Sequence, residues 1–125
     1  MVMKEITAGK FVEKKSRFYA HLYQIDDPDE IQKILTIHRT TYKKANHHCY
    51  GLLFSKKGTA EERFSDDGEV GHPGKTLLEL LKQHDLDHHV LIISRIFGGI
   101  KLGVGGVTRA FRTAGSSLID HMNSK

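Results

Sequence analysis

The sequence predicts an α+β domain: a two-layer α/β sandwich with a mostly antiparallel sheet and helices on one face. Three observations carry that prediction. Segment 16–25, SRFYAHLYQI, alternates with period two, as a strand with two unlike faces does. Val90–Ser94, VLIIS, is a continuous apolar run, which marks a buried central strand. Val107, Ala110, Phe111, Ala114, Leu118 and Ile119 form one apolar stripe on a long closing helix.

The remaining elements follow in chain order. A first strand falls around Lys4–Val12. In the second, Phe18, Ala20 and Leu22 share one face and Tyr19, His21 and Tyr23 the other. Asp27-Pro28-Asp29-Glu30 then reads as a helix start: Asp27 caps, Pro28 takes the first helical position, and Glu30 completes a capping box. Ile31, Ile34, Leu35 and His38 recur at helical spacing, so this helix runs to about Tyr42. His48–Ser55 is a strand ended by Lys56-Lys57-Gly58, and a short strand near Glu62–Phe64 pairs with it as a hairpin. Lys75–His84 carries Leu77, Leu78, Leu80 and Leu81 and reads as a helix. After VLIIS comes a glycine-rich segment and then the last helix, with Arg109, Arg112 and Ser116 off its apolar stripe.

The chain has 125 residues, 38% hydrophobic and 27% charged, which suits a single domain over 1–125 and excludes a disordered chain. No apolar run approaches the ~20 residues that span a bilayer. The opening MVMKEITAGK has no apolar signal core, so a cytoplasmic protein without membrane contact is expected. Cys49 is the only cysteine, which rules out an internal disulfide and fits a reducing compartment. A net charge of +4, with nine histidines in addition, is compatible with nucleic acid or an acidic partner.

Residues 97–106, FGGIKLGVGG, hold five glycines in ten positions, against about 7% in average usage. Arg95, Lys101, Arg109 and Arg112 add four positive charges between residues 95 and 112, with no acid among them. One reading is a phosphate cradle, in which Gly98, Gly99, Gly103, Gly105 and Gly106 give backbone N–H groups access to an anion at the helix N-terminus. The other is a tight turn with close helix–sheet packing. No GK[ST] ending is present, so this is not a Walker loop.

Residues 61–69, EERFSDDGE, carry five acids against one base. Asp66, Asp67 and Glu69 could hold magnesium, form an ordinary Asp-Asp-Gly turn, or pair with Arg95 or Arg109 and tie two loops together. His47 and Cys49 share a strand face, the spacing of a thiolate pair or of two zinc ligands. No second such pair exists at finger-like spacing, and a buried structural thiol is the simpler reading.

Taken in order, Lys15-Ser16-Arg17-Phe18, Ala45-x-His47-x-Cys49, Arg63-Phe64-Ser65-Asp66-Asp67-Gly68-Glu69, Arg95-x-Phe97-Gly98-Gly99-Ile100-Lys101-Leu102-Gly103-x-Gly105-Gly106 and Arg109-Ala110 resemble the IMPACT family in its YigZ-like form. The resemblance implies a fold like the second domain of small-subunit ribosomal protein five. Eukaryotic members act in translational control by competing for a partner of a stress-responsive kinase, and carry an N-terminal partner-binding domain not seen here. Bacterial members add a C-terminal ferredoxin-like domain, so this chain reads as a stand-alone core. After Glu69 the family has a Pro-Ser-Gly-Thr-Ala-Gly-like run; Val70-Gly71-His72-Pro73-Gly74 is shorter and lacks the Thr-Ala pair. The resemblance brings no catalytic residues and no cofactor.

Three functions follow as expectations. The first is a regulatory or binding module associated with translation that contacts RNA, a ribonucleoprotein or another phosphate-bearing partner through the basic glycine segment; a translation-related protein is the other partner expected. The second is a metal-assisted enzyme acting on a phosphorylated small molecule. The third is a pure protein-interaction domain.

Overall fold

Alternating apolar faces and one non-alternating strand are resolved by a five-stranded sheet. The computed structural model describes residues 3–124. The strands are β1 (Lys4–Glu13), β2 (Ser16–Gln24), β3 (His47–Lys56), β4 (Thr59–Ser65) and β5 (His89–Ile96). The helices are α1 (Ile31–Thr41), α2 (Pro73–Gln83) and α3 (Gly103–Asn123). Sheet order is β1-β2-β5-β3-β4, and every pairing is antiparallel. No helix among the described residues is long and apolar enough to cross a membrane.

Local chemistry sets the boundaries. Asp27 accepts the Asp29 N–H at 2.7 Å, and Glu30 accepts the N–H groups of Asp26 and Asp27, so the capping box forms. It begins a short 3₁₀ turn, Pro28–Glu30, that leads into α1. Lys57 and Gly58 both take positive φ, which makes the tight β3–β4 hairpin. β4 and β5 are longer than the sequence suggests because ladder pairing carries Thr59–Ala60 and Arg95–Ile96 into their strands.

The expected fold class stands, and the difference lies in α1. Leu77, Leu81, Phe111 and Leu118 of α2 and α3 pack on Phe18, Ala20, Leu22, Leu91 and Ile93. Ile31, Ile34 and Leu35 of α1 pack on the opposite face, against Tyr23, Leu52, Val90 and Ile92. The helices therefore cover both faces, not one. The reason is legible in β5: Val90 to Ile93 are all buried, so a run without alternation needs cover on both sides.

α2 lies against bare backbone. A Cβ on Gly51 of β3 would fall 2.6 Å from the Leu78 Cα, so the helix can sit there only because residue 51 is glycine. Gly51→Ala is expected to cost on the order of 1–3 kcal/mol, the range for overpacked cores. A urea titration within a few tenths of the parent's would show that α2 can shift freely.

Candidate functional site

Alternation along β5 sends Arg95 to the α2–α3 face and Ser94 to the α1 face. Register places Arg95 opposite Phe18 of β2 and His47 of β3, at the end of the sheet. An arginine there is 6% exposed and must find a counter-charge. The SDDGE segment supplies it. Asp66–Glu69 is a tight turn, with Asp67 at φ 48° and Gly68 at φ 78°, closed by the Glu69 N–H donating to the Asp66 carbonyl at 2.9 Å. The chain then turns Glu69 inward. Arg95 Nη1 donates to Glu69 Oε2 at 2.9 Å, with the side chains only 7% and 4% exposed. Arg95 Nη2 donates to Ser16 Oγ at 3.3 Å, while its Nε is buried without a partner. The guanidinium also lies near the rings of Phe18 and Phe97.

The other carboxylates are occupied differently. Asp66 Oδ1 accepts the Gly74 N–H at 2.9 Å, which puts an acid at the N-terminus of α2. Asp67 Oδ2 accepts the His48 N–H at 2.7 Å and so caps the start of β3. Of the three anticipated roles for this loop, the turn and the ion pair are therefore present, and the pairing carboxylate is Glu69. The three acids turn to separate partners, and no group of His, Cys, Asp and Glu among the described residues is arranged to hold a metal ion.

His47 Nδ1–H donates to the Asp67 carbonyl at 2.9 Å, and Cys49 Sγ–H donates to that of Asp66 at 3.2 Å. Cys49 is fully buried, and burial pushes its thiol well up from the ordinary range. The pair thus anchors the loop, and burial holds the Cys49 thiol in its protonated form.

The glycine segment divides. Gly98 passes so close to Lys15 and Ser16 that a Cβ would strike their backbone, and its N–H donates to Ser16 Oγ at 3.3 Å. Gly103 takes φ 75° and Gly99 φ 92°, while Gly105 and Gly106 are ordinary first-turn residues of α3. The four basic residues also separate. Arg95 is buried and neutralised by Glu69. Arg112 lines a groove between α2 and α3 with Glu79 and Gln83. Lys101 and Arg109 remain exposed near the start of α3. Arg109 lies back along the helix, its Nη1 3.3 Å from where a Gly105 Cβ would be. A depression beside it is shared by Lys14, Glu13, Leu102, Gly106 and Arg109, so the β1–β2 turn contributes a lysine that sequence spacing did not connect. The acidic loop reaches the same helix: Thr108 Oγ1 donates to the Gly71 carbonyl at 3.0 Å.

On the opposite face lies a buried polar network that the sequence reading missed. His38 Nδ1 and His48 Nδ1 each lie 2.7 Å from Ser94 Oγ, and His38 Nε2 lies 3.3 Å from the Tyr23 hydroxyl. Ser94 has one proton, so it donates to one ring and accepts from the other. Burial is the main cause holding His38 down at about 3, with His21 and His48 adding to it, and burial lowers His48 as well. The available signal was His38 itself, a histidine on an otherwise apolar helix stripe.

This fold, with its Ser-Asp-Asp-Gly-Glu loop ion-paired to the end of β5, is that of an Impact N-terminal domain, whose family model matches residues 14–119. The chain belongs to the IMPACT family. The IMPACT family member YvyE of Bacillus subtilis is 32% identical over 121 residues, covering 96% of this chain and 55% of that protein. A solved structure of a hypothetical protein superposes with a TM-score of 0.85 at 27% identity, over 96% of this chain and 61% of that one. The two-domain translational regulator Yih1 shares the fold, with a TM-score of 0.63 at 19% identity over 94% of this chain and 46% of its own. The chain spans about half the length of the bacterial relatives it matches.

Proposed function

We propose that this domain is a binding module of translational regulation, and that it meets a ribonucleoprotein or another phosphate-bearing partner through Lys101 and Arg109, with Lys14 beside them. Family membership supports the regulatory role, together with the fold shared with Yih1, itself described as a translational regulator. The observation that carries the contact surface is the convergence of Lys14 and Arg109 on the first turn of α3. Positive side chains and the free N–H groups of a helix start then act on one anion. Arg95 and Arg112 drop out of this surface, one by burial and one by direction. Metal-assisted catalysis is less well supported, because Asp66, Asp67 and Glu69 are each committed to protein partners.

The test is fluorescence anisotropy with a short labelled RNA over a range of salt. Lys101→Ala and Arg109→Ala should each weaken binding and reduce the log–log salt slope by about one unit. Arg112→Ala should leave both unchanged. Equal binding by the parent, Lys101→Ala and Arg109→Ala would remove the phosphate-contact reading and leave a protein-interaction domain.

A further inference from the structure

Large apolar side chains stand exposed around the start of α3. Val70, Phe97, Ile100 and Val104 are 43–59% exposed. Val70, Phe97 and Val104 line a depression of about 300 Å³ with Leu102, Val107 and Lys101, and Ile100 lies on the short loop between Phe97 and Lys101. Single exposed apolar residues are ordinary, but a cluster around a concavity marks a contact surface. The floor is firm: Phe97 N–H donates to Asn46 Oδ1 at 3.0 Å, Arg95 beneath is locked to Glu69, and Gly71 is tied to Thr108. A preformed socket loses little entropy when it is filled.

The rim carries a sign. Lys101 stands on the wall, and across Leu102 the next depression holds Lys14 and Arg109, with Glu13 as its one acid. Glu69, next to Val70 in the chain, is buried and spent on Arg95. The chemistry that complements this surface is an apolar anchor flanked by acids.

We infer that the Val70–Phe97–Val104 socket docks a protein segment that inserts one large aliphatic or aromatic side chain and places Asp or Glu against Lys101, Lys14 and Arg109. The inference goes beyond the proposed function: its anchor rests on a different observation, the exposed apolar cluster, but it shares Lys101, Lys14 and Arg109 with that reading, so an acidic segment and a phosphate-bearing partner compete for one rim. Three of the four exposed residues are aliphatic and give a nucleobase no stacking platform. The depression is shallow and open, and a lipid surface, which takes up an apolar face of this kind, is told apart from a protein segment by the vesicle arm of the test.

A library of random 12-residue peptides displayed on phage is panned against the folded domain, and selected peptides are synthesised and titrated. Enriched peptides should share a Leu, Ile, Phe or Trp flanked by Asp or Glu. Val104→Ser and Phe97→Ala should weaken them at least tenfold, and Lys101→Ala several-fold, with the salt dependence reduced. Ile37→Ser, an exposed apolar change on α1, should have no effect. Unchanged melting temperatures show that the variants fold, and NMR shift changes on titration should centre on Val70, Phe97 and Val104. Failure to enrich any peptide, enrichment of basic peptides, or full binding by Val104→Ser and Phe97→Ala would overturn the inference. Two control arms would also overturn it: loss of RNA binding in Val104→Ser would give the socket to nucleic acid. Val104-dependent binding to phosphatidylglycerol vesicles would give it to a lipid surface. Lys101→Ala that weakens RNA but leaves acidic peptides untouched would sink the charged rim alone, and with it the stated partner chemistry.

Discussion

Glu69→Gln should lower the unfolding free energy by about 3–5 kcal/mol in a urea titration, the usual cost of removing one partner from a buried ion pair. The substitution keeps the side chain's size and deletes only its charge. It leaves Arg95 buried, with its Nε already unpartnered, at a site where both side chains are less than a tenth exposed. Solvent cannot screen the loss there. Asp66→Asn and Asp67→Asn should cost less, on the order of 1 kcal/mol, because an amide oxygen still accepts the N–H groups of Gly74 and His48. Replacing both partners, as Glu69→Leu with Arg95→Met, should recover most of the stability, since the desolvation cost goes with the pair. A Glu69→Gln protein within 1 kcal/mol of the parent would mean that the pair does not hold the loop.

Acid should destabilise the domain through the buried histidines of the α1 face. In the unfolded chain His38 takes up a proton near its ordinary 6.5, but in the fold only at about 3. Between those values the unfolded state binds more protons. The contribution is therefore fully present above pH 6.5 and is lost as pH falls toward 3, at about 1.4 kcal/mol per unit. Lowering pH from 6.5 to 4.5 should remove about 2 kcal/mol from this site, because the unfolded histidine is only half protonated at 6.5. His48, also lowered, acts in the same direction. His38→Leu should flatten the slope by close to one proton over that range while leaving Ser94 its bond to His48. The same pH slope in His38→Leu as in the parent would assign the acid sensitivity to other groups.

Most of the fold was legible because burial writes itself as period. The Phe18–Ala20–Leu22 face, the Asp27 capping box and the α3 stripe all occupy their expected places. The position of α1 was also legible and was misjudged: a VLIIS strand covered on both faces conflicts with helices on only one. The site was less legible for a different reason. Hydropathy treats Glu69 and Arg95 as surface residues, and spacing cannot tell which of three neighbouring carboxylates turns inward. One cue existed, a lone arginine continuing an apolar strand in VLIISRI. Lys14 is separated from Arg109 by most of the chain, so only the antiparallel return of β1 and β2 brings it to α3.

The Asp66–Gly71 stretch fastens to His48, Gly74, Arg95 and Thr108, one anchor in each of β3, α2, β5 and α3. Except for Gly74, those anchors are distant in sequence, and the loop can engage them together only after both halves of the sheet and both helices have met. Closing such long-range contacts costs chain entropy before they return any energy, which puts them late in folding. Interactions absent from the transition state leave the folding rate almost alone and act on unfolding. The loop therefore works as a latch on the native state: loosening it shortens the lifetime of the folded domain far more than it delays its formation.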